Sequence, residues 1–425
     1  MHKINPETAQ FIEKHAHHDI HQLALMARKQ EVDINVALQQ IGGRQTARKK
    51  LPKWAEKDEI LYPRQLCMEQ CSSESTALYK AEIVKNLIPE NTRKNSTFID
   101  LTGGFGVDFT YLAPHFKNAI YVEQQEELCQ IVRWNSLFLG IRHAQFICAD
   151  SELWLEETGG SAQKETASLI FIDPARRDQQ GKRTFAVSDC TPNVLPMTKK
   201  MLEIAEFVII KLSPMLDISA TIKALNQSLE EDKEARIVRE MHVVATDNEC
   251  KELLVVLQRN HNSSANIVCK HHDFVSKFSQ EEAGTRAQKS AEPHEGQILI
   301  EPNPSIMKAQ CFGFLEQRYN ILPISSNSHL FITDKDSQTA EIEEIGRTFI
   351  IDGICTMNKK DLQQHLADIT HANIAVRNFP LSAQELRKRL KIADGGNVYI
   401  FATTTENKKH VLLICKKICK THRIS

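Results

Sequence analysis

Short apolar runs and helix-like stretches alternate along the middle of the chain, between about residues 66 and 260. The runs are bounded by polar residues, and the stretches between them carry apolar residues at helical spacing. This alternation predicts an α/β fold, with a parallel sheet, helices on both faces, and ligands bound at the carboxyl ends of the strands. The predicted strands are STFIDL, NAIYVE, AQFICAD, SLIFIDP, FVIIKLS and LLVVLQ.

The N-terminal part has a different pattern. Residues 7–43 carry apolar residues at helical spacing, such as Phe11, Ile20 and Leu23, and predict a helical region that ends at Gly42-Gly43. The next stretch, RQTARKKLPKW, holds five basic residues and no acidic one. It is either a solvated basic linker or a segment that contacts phosphate groups.

The C-terminal part begins with a polar stretch. Residues 276–297 lack apolar periodicity, which predicts a linker or surface loop, and a short strand and helix are expected after it. From Arg347 to Lys417 the pattern predicts a small α+β unit, with strand, helix, strand, helix and a closing hairpin. We therefore divide the chain into a helical region (1–65), a central α/β domain (66–265), a linker with a small α/β segment (266–325) and an α+β domain (326–425).

Charge is neutral overall but uneven along the chain. The 425 residues have a net charge of −1, whereas residues 351–425 hold thirteen Lys and Arg against six Asp and Glu. No apolar run approaches the roughly 20 residues that span a bilayer, and the N-terminus lacks the apolar core of a secretory signal. We therefore expect a soluble, cytoplasmic protein that does not associate with membranes.

Metal ligands are not grouped in the sequence. The eleven cysteines are scattered, and the pairs Cys67/Cys71 and Cys415/Cys419 lack the further ligands of a zinc or iron–sulfur site. Histidines near the N-terminus are spread around a predicted helix rather than stacked on one face. We expect no metal site, with the thiols small and buried.

The stretch FIDLTGGFGVD places three glycines directly after a predicted strand. A dinucleotide-binding G-x-G-x-x-G pattern would need glycine at position 109, which is Phe109, so a nicotinamide cofactor is disfavoured. The loop is either a tight turn that only stabilises the fold or a strand–loop–helix junction whose backbone lies against a ligand.

Acidic residues mark the ends of four consecutive predicted strands: Asp100, Glu123, Asp150 and Asp173. Parallel strands bring their carboxyl ends to one edge, so these acids are expected to line one crevice. There, Glu123 is able to accept hydrogen bonds from both hydroxyls of a ribose, and Asp150 from an adenine amino group.

Residues 66–217 resemble class I, Rossmann-like, S-adenosylmethionine-dependent methyltransferases. Asp100 and the three glycines are similar to motif I, with Thr102 where many members have glycine, and DPAR (173–176) is similar to motif IV. The resemblance implies S-adenosyl-L-methionine as the cofactor, with residues 103–106 packed against its methionine and ribose parts. The cofactor-binding residues that it implies are Asp100, Thr102, Gly103, Gly104, Phe105, Gly106, Glu123 and Asp150.

A turn before the glycine loop holds Ser72 and Ser73, which are N-cap candidates for the next predicted helix. Either they only cap that helix, or the turn also offers hydroxyls to the methionine carboxylate of the cofactor. On the second interpretation, Ser73 is a further cofactor-binding residue.

Nearly the whole chain resembles bacterial methyltransferases with a C-terminal THUMP-like domain. THUMP domains are RNA-binding modules found mostly in tRNA-modifying enzymes, so the resemblance implies RNA as a partner. It also implies that the C-terminal α+β domain is THUMP-like and ferredoxin-like. The segments that carry it are EQCSSESTALYKA (69–81), IDPARRD, KLSPMLD and VRNFPLSAQELRKRL.

The residues of motif IV bear on which methyl-transfer reaction is expected. Amino methylases have an Asp/Asn-Pro-Pro-aromatic motif, and this chain keeps Asp173-Pro174 but has Ala175 and Arg176 in the last two places. Arg176 is a candidate to stack on a base through its guanidinium plane. The covalent route of 5-methyluridine enzymes needs a cysteine where this chain has Leu212, so we reject it.

The sequence therefore predicts a methyltransferase that modifies a base nitrogen of tRNA or rRNA. Asp173, Pro174 and Lys211 are the predicted catalytic residues. Arg176 and Arg177 are the predicted substrate-binding residues, because cations at the mouth of the sheet attract a phosphate-bearing substrate. Two alternatives stay open: a methyltransferase that acts on a protein or a small molecule, and a non-catalytic RNA-binding protein on a methyltransferase scaffold.

Overall fold

The computed structural model describes residues 4–26, 31–160, 167–176, 186–229, 235–283, 285, 287, 289–337 and 340–418. The helices are α1 (Pro6–His15), α2 (Ile20–Met26), α3 (Ile34–Lys50), α4 (Pro52–Ala55), α5 (Gln65–Gln70), α6 (Glu74–Leu87), α7 (Glu90–Arg93), α8 (Val107–Leu112), α9 (Glu126–Phe138), α10 (Ser151–Gly160), α11 (Val194–Ile204), α12 (Ile218–Asn226), α13 (Gln280–Ala283), α14 (Pro304–Ala309), α15 (Phe312–Tyr319), α16 (Ala340–Ile345), α17 (Lys359–Leu366) and α18 (Ala383–Leu390). Among the described residues, no helix has the length and apolar character needed to cross a membrane.

The strands alternate with these helices in the central part of the chain, as the sequence predicts. They are β1 (Thr97–Asp100), β2 (Asn118–Glu123), β3 (Ala144–Cys148), β4 (Ala167–Ile172), β5 (Ala175–Arg176), β6 (Cys190–Thr191), β7 (Ala205–Leu212), β8 (Val238–Thr246), β9 (Glu249–Gln258), β10 (Asn266–His271), β11 (Phe274–Ser279), β12 (Ile298–Pro302), β13 (Leu322–Pro323), β14 (Phe331–Thr333), β15 (Gly346–Cys355), β16 (Asn373–Arg377), β17 (Val398–Thr404) and β18 (His410–Lys417).

The N-terminal region is helical, but the prediction that it ends at Gly42-Gly43 is wrong. Helix α3 runs through both glycines to Lys50. A Cβ atom at Gly43 would lie 2.2 Å from the Cβ atom of Tyr62, and one at Gly42 would lie 2.7 Å from the Cδ1 atom of Ile20. These glycines therefore allow neighbouring segments to approach the helix, at a cost of about 1 kcal/mol each in helix propensity.

The predicted parallel sheet is confirmed. Strands β7, β4, β1, β2 and β3 lie side by side in that order, and each neighbouring pair is parallel. In the middle of the sheet, Ile99 is in register with Ile120 on one side and Ile170 on the other. Every residue of β4 is buried, as expected of a central parallel strand that is covered on both faces.

Strands β8, β10 and β11 were not predicted. Strand β10 pairs in parallel with β8 and antiparallel with β11. The apolar pattern of β8 is interrupted by Glu240 and His242, which are nevertheless buried, with His242 Nε2 lying 3.0 Å from Glu240 Oε2. The predicted linker 276–297 is wrong at its beginning, because β11 and α13 occupy that part and Phe278 is buried.

The chain divides into two compact units. The first contains Met1–Arg239 and Leu254–Ser263, and the second contains Glu240–Leu253 and Ser264–Ser425. The boundaries of the four segments that we infer from the sequence stay a prediction.

The second unit contains a seven-stranded sheet with the order β13-β14-β12-β15-β18-β17-β16. Its C-terminal elements lie where the sequence predicts them, and β17 and β18 form the expected antiparallel hairpin. At the edge of the sheet, β16 is parallel to β17. Buried residues such as Phe349, Phe401 and Leu413 form an apolar core in this unit.

Candidate active site

The four predicted acids lie side by side along one edge of the parallel sheet. Asp100 and Glu123 are the last residues of β1 and β2, Asp173 directly follows β4, and Asp150 is two residues beyond β3. Because β4, β1, β2 and β3 are adjacent and parallel, their carboxyl ends share this edge. We call this row of four acids the edge carboxylates.

The loop between β1 and α8 is fixed against β2 by hydrogen bonds. The Gly103 amide donates to the Val122 carbonyl (2.9 Å), and the Gly104 amide donates to Glu123 Oε2 (2.9 Å). The Tyr121 hydroxyl donates to the Gly104 carbonyl (2.6 Å). The loop is therefore held by the strand that carries the predicted ribose-binding acid.

The three glycines of this loop are required for different reasons. A Cβ atom at Gly103 would lie 2.0 Å from the ring of Tyr121, and one at Gly106 would lie 2.5 Å from Val132, so both glycines allow close packing. Gly104 has a φ of +53°, and the nearest atom to a Cβ there would be a backbone oxygen 3.8 Å away. A Cβ atom at Gly104 would thus meet no side chain within 4 Å, and the residue is only half-buried, so its backbone is accessible to a ligand.

Glu123 and Asp150 are both oriented by backbone amides. Glu123 is buried, and its Oε2 and Oε1 accept hydrogen bonds from the amides of Gly104 and Gln125 (2.9 and 2.8 Å). Asp150 is exposed, and its Oδ1 accepts from the amides two and three residues further on (2.9 and 3.1 Å). A carboxylate has about four acceptor positions, so these bonds orient both side chains and leave positions for a ligand.

Thr102 connects the ends of β1 and β4. Its amide donates to Asp100 Oδ1 (3.1 Å), and its hydroxyl accepts from the Asp173 amide (2.6 Å). Burial raises the pKa of the Asp100 carboxyl well above its ordinary value, and the nearby charges of Asp108, Asp173 and Glu123 raise it further. Like charges are thus crowded at this edge of the sheet.

The three predicted catalytic residues lie together. Lys211, from β7, donates a hydrogen bond to Asp173 Oδ2. The Lys211 side chain is largely buried, whereas that of Asp173 is about one-third exposed, at 35%. Pro174 is buried and restricts the backbone directly after Asp173.

The two predicted substrate-binding arginines follow Pro174. Arg176 belongs to the short strand β5, which pairs antiparallel with β6, and it lies opposite Cys190 in that pairing. Arg177 lies outside the described residues. The substrate contacts of both arginines stay a prediction.

Two predicted cofactor contacts have side chains that are engaged elsewhere. The Phe105 ring is buried against Trp54 and Tyr62, with ring centroids 5.0 and 6.4 Å apart, so Phe105 offers a cofactor only its backbone. The Ser73 hydroxyl caps α6 by accepting from the Thr76 amide (3.3 Å). A contact between Ser73 and a methionine carboxylate stays a prediction.

A buried network that we did not predict lies beside the glycine loop. Lys80 is 0% exposed, and its ammonium group donates a hydrogen bond to Ser72 Oγ (3.0 Å). The same ammonium group forms an ion pair with Asp108 Oδ1 at 3.1 Å, although the geometry of that contact is not that of a hydrogen bond. Ser72 Oγ donates to Asp108 Oδ2 (2.7 Å). Burial opposes ionisation of Asp108, but the ammonium groups of Lys80 and Lys211 outweigh it and lower its pKa.

The sequence carried a signal for this network. The buried side of α6 includes Thr76, Ala77, Ile83 and Val84, and Lys80 falls on the same side at helical spacing. A lysine within an otherwise apolar helix face needs a buried partner. The position of Lys80 was therefore informative, although the identity of its partner was not.

The basic stretch RQTARKKLPKW is not a linker. It forms the end of α3 and most of α4, and some of its charges have partners within the protein. Arg44 pairs with Asp58, and the Lys50 ammonium group donates to the carbonyls of Met68 and Glu69 (2.9 and 2.7 Å) at the end of α5. Arg44 and Lys50 are thus engaged in intramolecular contacts.

Within the part of the chain that the structure describes, no group of three or more His, Cys, Asp or Glu could hold a metal ion. The described cysteines are free thiols, and several of them, such as Cys190, Cys269 and Cys311, are buried. Cys419 lies outside the described residues.

Comparison with known protein families identifies the C-terminal part. Residues 346–417 match a family described as THUMP domain-like, and residues 299–339 match a family described as a ferredoxin-like domain. A search of curated proteins found no match. The C-terminal part therefore contains a THUMP domain-like region, as predicted, and a ferredoxin-like region, which begins before residue 326, where we place the start of the α+β domain.

Among solved structures, a "putative methyltransferase" from Porphyromonas gingivalis W83 is 27% identical, with a TM-score of 0.80, and the similarity covers 97% of this chain and 98% of that one. A SAM-dependent methyltransferase from Agrobacterium tumefaciens is 13% identical over 43% of this chain and 62% of that one, with a TM-score of 0.30. An rRNA methylase from Streptococcus thermophilus is 16% identical over 43% of this chain and 95% of that one, also with a TM-score of 0.30. TM-scores as low as these last two are too low to support an inference about this protein. On the first similarity and the two family matches, the chain has the architecture of a Rossmann-like, S-adenosylmethionine-dependent methyltransferase with a C-terminal THUMP domain-like unit.

Proposed function

We propose that this protein uses S-adenosyl-L-methionine to methylate a base nitrogen of RNA, with tRNA and rRNA as the substrate classes. The observation that carries the proposal is the row of edge carboxylates beside the open backbone of Gly104. Burial and the nearby charges of Asp108, Asp173 and Glu123 raise the pKa of Asp100 within this row, which disfavours folding at neutral pH. A non-catalytic scaffold would gain stability by losing the Asp100 carboxylate, so its presence favours an enzyme.

The residues at the edge fit the proposed cofactor, which supplies an activated methyl group when bound. Glu123 would accept from the ribose hydroxyls at the positions that the amides of Gly104 and Gln125 leave open. Asp150 would accept from the adenine amino group. The backbone at Gly104 would lie against the methionine and ribose parts, because no side chain covers it.

Asp173 is the residue that we propose binds the substrate nitrogen. Its amide is fixed by the Thr102 hydroxyl, and its Oδ2 accepts from Lys211. A carboxylate accepts several hydrogen bonds, so Asp173 can also accept one from a substrate N–H. That bond would orient the nitrogen lone pair and give the departing proton an acceptor.

The other residues of the site align the reactants rather than react. Methyl transfer from a sulfonium group is an in-line displacement, in which correct alignment and exclusion of water lower the barrier. Buried Asp100 and the hydrogen bonds of Thr102 hold the ends of β1 and β4 in fixed positions. This rigidity supports an alignment role for the sheet edge.

The RNA part of the proposal is supported by the C-terminal unit. Residues 346–417 match the THUMP domain-like family, and the last turn of α18 carries Arg387, Lys388 and Arg389. Lys388 and Arg389 are exposed, so phosphate groups can reach them. A basic, accessible helix end of this kind suits a nucleic-acid backbone.

Transfer of a labelled methyl group tests the proposal. The full chain is incubated with methyl-labelled S-adenosylmethionine and total RNA from cells that lack the gene, and the RNA is digested and analysed by mass spectrometry. We expect label in one methylated nucleoside. RNA from cells that have the gene is the control, and it should accept little label because its sites are already modified.

Three results would contradict the proposal at different levels. Label in protein or in metabolites, but never in RNA, would exclude RNA as the substrate. Label in RNA at a sugar or a carbon atom would exclude a base nitrogen as the target. Calorimetry that detects no binding of S-adenosylmethionine would favour the non-catalytic alternative.

A further inference from the structure

The buried network of Lys80, Ser72 and Asp108 has no part in the proposed transfer, yet it joins two segments of the candidate site. Ser72 lies in the turn before α6, next to Ser73. Asp108 lies in the first turn of α8, two residues after Gly106. The hydrogen bond from Ser72 Oγ to Asp108 Oδ2 (2.7 Å) connects this turn directly to the end of the glycine loop.

Stability is a weak explanation for this network. Lys80 and Asp108 are both buried, at 0% and 8% exposure. Removing a charge from water costs several kcal/mol per ion, and replacing a buried ion pair with apolar residues of similar volume is often neutral or stabilising. What the two hydrogen bonds between Ser72 Oγ and these charged groups provide, and apolar contact does not, is a fixed direction and distance between the groups.

The segment between α5 and α6 is also held from other sides. The Lys50 ammonium group, at the end of α3, donates to the carbonyls of Met68 and Glu69 in the last turn of α5. Cys71 packs against the apolar cluster that contains Phe105 of the glycine loop. Lys80 and Asp108 therefore complete a set of contacts that fixes residues 71–73 relative to the loop.

We propose that Lys80 and Asp108 are positioning residues, which hold residues 71–73 against the glycine loop 103–106 and thereby set the affinity for the cofactor. Neither residue contacts a reacting group, and both act through Ser72 and the start of α8. The link to the cofactor rests on the proposed function. The effect on the loop does not, because it is measurable in the ligand-free protein.

The double variant Lys80→Met/Asp108→Leu tests this inference in the full chain. Met and Leu resemble Lys and Asp in shape, and no unpaired charge is left buried, but the buried Ser72 hydroxyl loses both partners, so we expect a folded protein with a modestly lower melting temperature. We expect about tenfold weaker binding of S-adenosylhomocysteine by calorimetry, because a displacement of about 1 Å in a site has effects of up to about 100-fold. In the ligand-free protein, the amides of Gly103 and Gly104 should exchange hydrogen about tenfold faster.

The results separate this inference from the proposed function. A folded double variant with wild-type exchange at Gly103 and Gly104 would overturn the positioning role and leave the network a role in stability alone. If the wild type binds no S-adenosylhomocysteine, the proposed function fails. The exchange rates of the ligand-free proteins then still decide whether Lys80 and Asp108 position the loop.

A milder pair of variants covers the case in which the double variant does not fold. Ser72→Ala removes one hydroxyl from the network, and Ser136→Ala removes a buried hydroxyl that has no hydrogen-bond partner among the described residues. We expect faster exchange at Gly103 and Gly104 in Ser72→Ala only. Equal exchange rates in the two serine variants would overturn the inference.

Discussion

Two buried carboxylates, Asp100 in the first unit of this protein and Glu301 in the second, have opposite surroundings. In the first unit, Asp100 lies near three other carboxylates, those of Asp108, Glu123 and Asp173, and its pKa is raised. In the second unit, Glu301 accepts hydrogen bonds from two guanidinium groups, Arg347 Nε (2.8 Å) and Arg377 Nη2 (2.7 Å). One arrangement concentrates negative charge, and the other compensates it.

Glu240, also in the second unit, is like Glu301 a carboxylate whose charge is compensated by basic side chains. Its two oxygens are contacted by Lys277 Nζ (2.7 Å) and His242 Nε2 (3.0 Å). Compensated carboxylates of this kind contribute to the stability of the fold, whereas crowded ones reduce it and persist where chemistry needs them. The comparison teaches that a buried carboxylate stabilises or destabilises the fold according to whether cations or other carboxylates lie near it.

The largest expected effect is on catalysis, at the edge carboxylate Asp173. We expect Asp173→Ala to lower the rate of methyl transfer by at least about 10³-fold, or about 4 kcal/mol, because the substrate nitrogen loses its acceptor. Cofactor binding should stay nearly intact by calorimetry. The matched control is Asp58→Ala, which removes an exposed carboxylate paired with Arg44 and should leave the rate unchanged.

The next largest effect is on acid stability, at Glu240. Burial opposes ionisation, but His242 and Lys277 lower the pKa of Glu240 from 4.5 to about 2. A carboxylate whose pKa is lowered in the folded protein stabilises the fold in full when the pH is above the ordinary pKa of the carboxyl. That stabilisation is lost as the pH falls toward 2. At about 1.4 kcal/mol per pKa unit, the contribution is about 3 kcal/mol.

The measurement for Glu240 is the free energy of unfolding of the wild type and of Glu240→Gln at several pH values. The wild type should be more stable at pH 7, and the difference should shrink steadily below about pH 4.5. A difference that stays constant down to pH 3 would contradict compensation by His242 and Lys277.

A smaller loss of stability is expected at Glu301. Glu301→Gln leaves Arg347 and Arg377 without their anion, but both guanidinium side chains are 38% exposed and remain partly hydrated. We therefore expect a loss of about 2 kcal/mol by denaturant unfolding, below the cost of an uncompensated charge in a dry core. Glu249→Gln, which removes an exposed partner of Lys251, is the control and should have little effect.

The smallest expected effect is a gain in stability rather than a loss, at Asp100. Because the pKa of Asp100 is raised by burial and neighbouring carboxylates, the wild type loses stability as the pH rises above the ordinary value of 3.8. Asp100→Asn keeps the shape of the side chain and removes the charge, so we expect about 1 kcal/mol higher stability at pH 7. Thermal unfolding measures the gain, and calorimetry should show weaker cofactor binding. A lower melting temperature would contradict the comparison.

The positions of the candidate-site residues were predictable where they follow from the neighbouring sequence. Strands such as β1 and β4 are apolar runs, and the acids that follow them are visible in the sequence because the chain itself places them there. What was missed depends on distant partners. Gly43 reads as a helix end until Tyr62 is known to lie against it. The position of Lys80 on the apolar side of α6 indicates a buried partner, but only the structure identifies that partner as Asp108.

The same limit applies to β8. Its sequence contains Glu240 and His242, and a polar residue within an apolar run argues against a buried strand unless a partner neutralises it. Here the two residues satisfy each other, with Lys277 from β11 as a third partner. Glu240 and His242 are two residues apart and lie on the same face of the strand, whereas Lys277 is distant in the sequence, so only the folded arrangement shows the complete pairing.

The aromatic contacts of Phe105 attach the glycine loop to the part of the chain before the parallel sheet. Because its ring is enclosed by Trp54 and Tyr62, the glycine loop is anchored in residues that precede the predicted sheet. A fragment beginning at residue 66 would expose that ring to water and release the loop from its anchor. Removal of the residues before 66 would thus loosen the glycine loop, although the loop itself stays in the fragment.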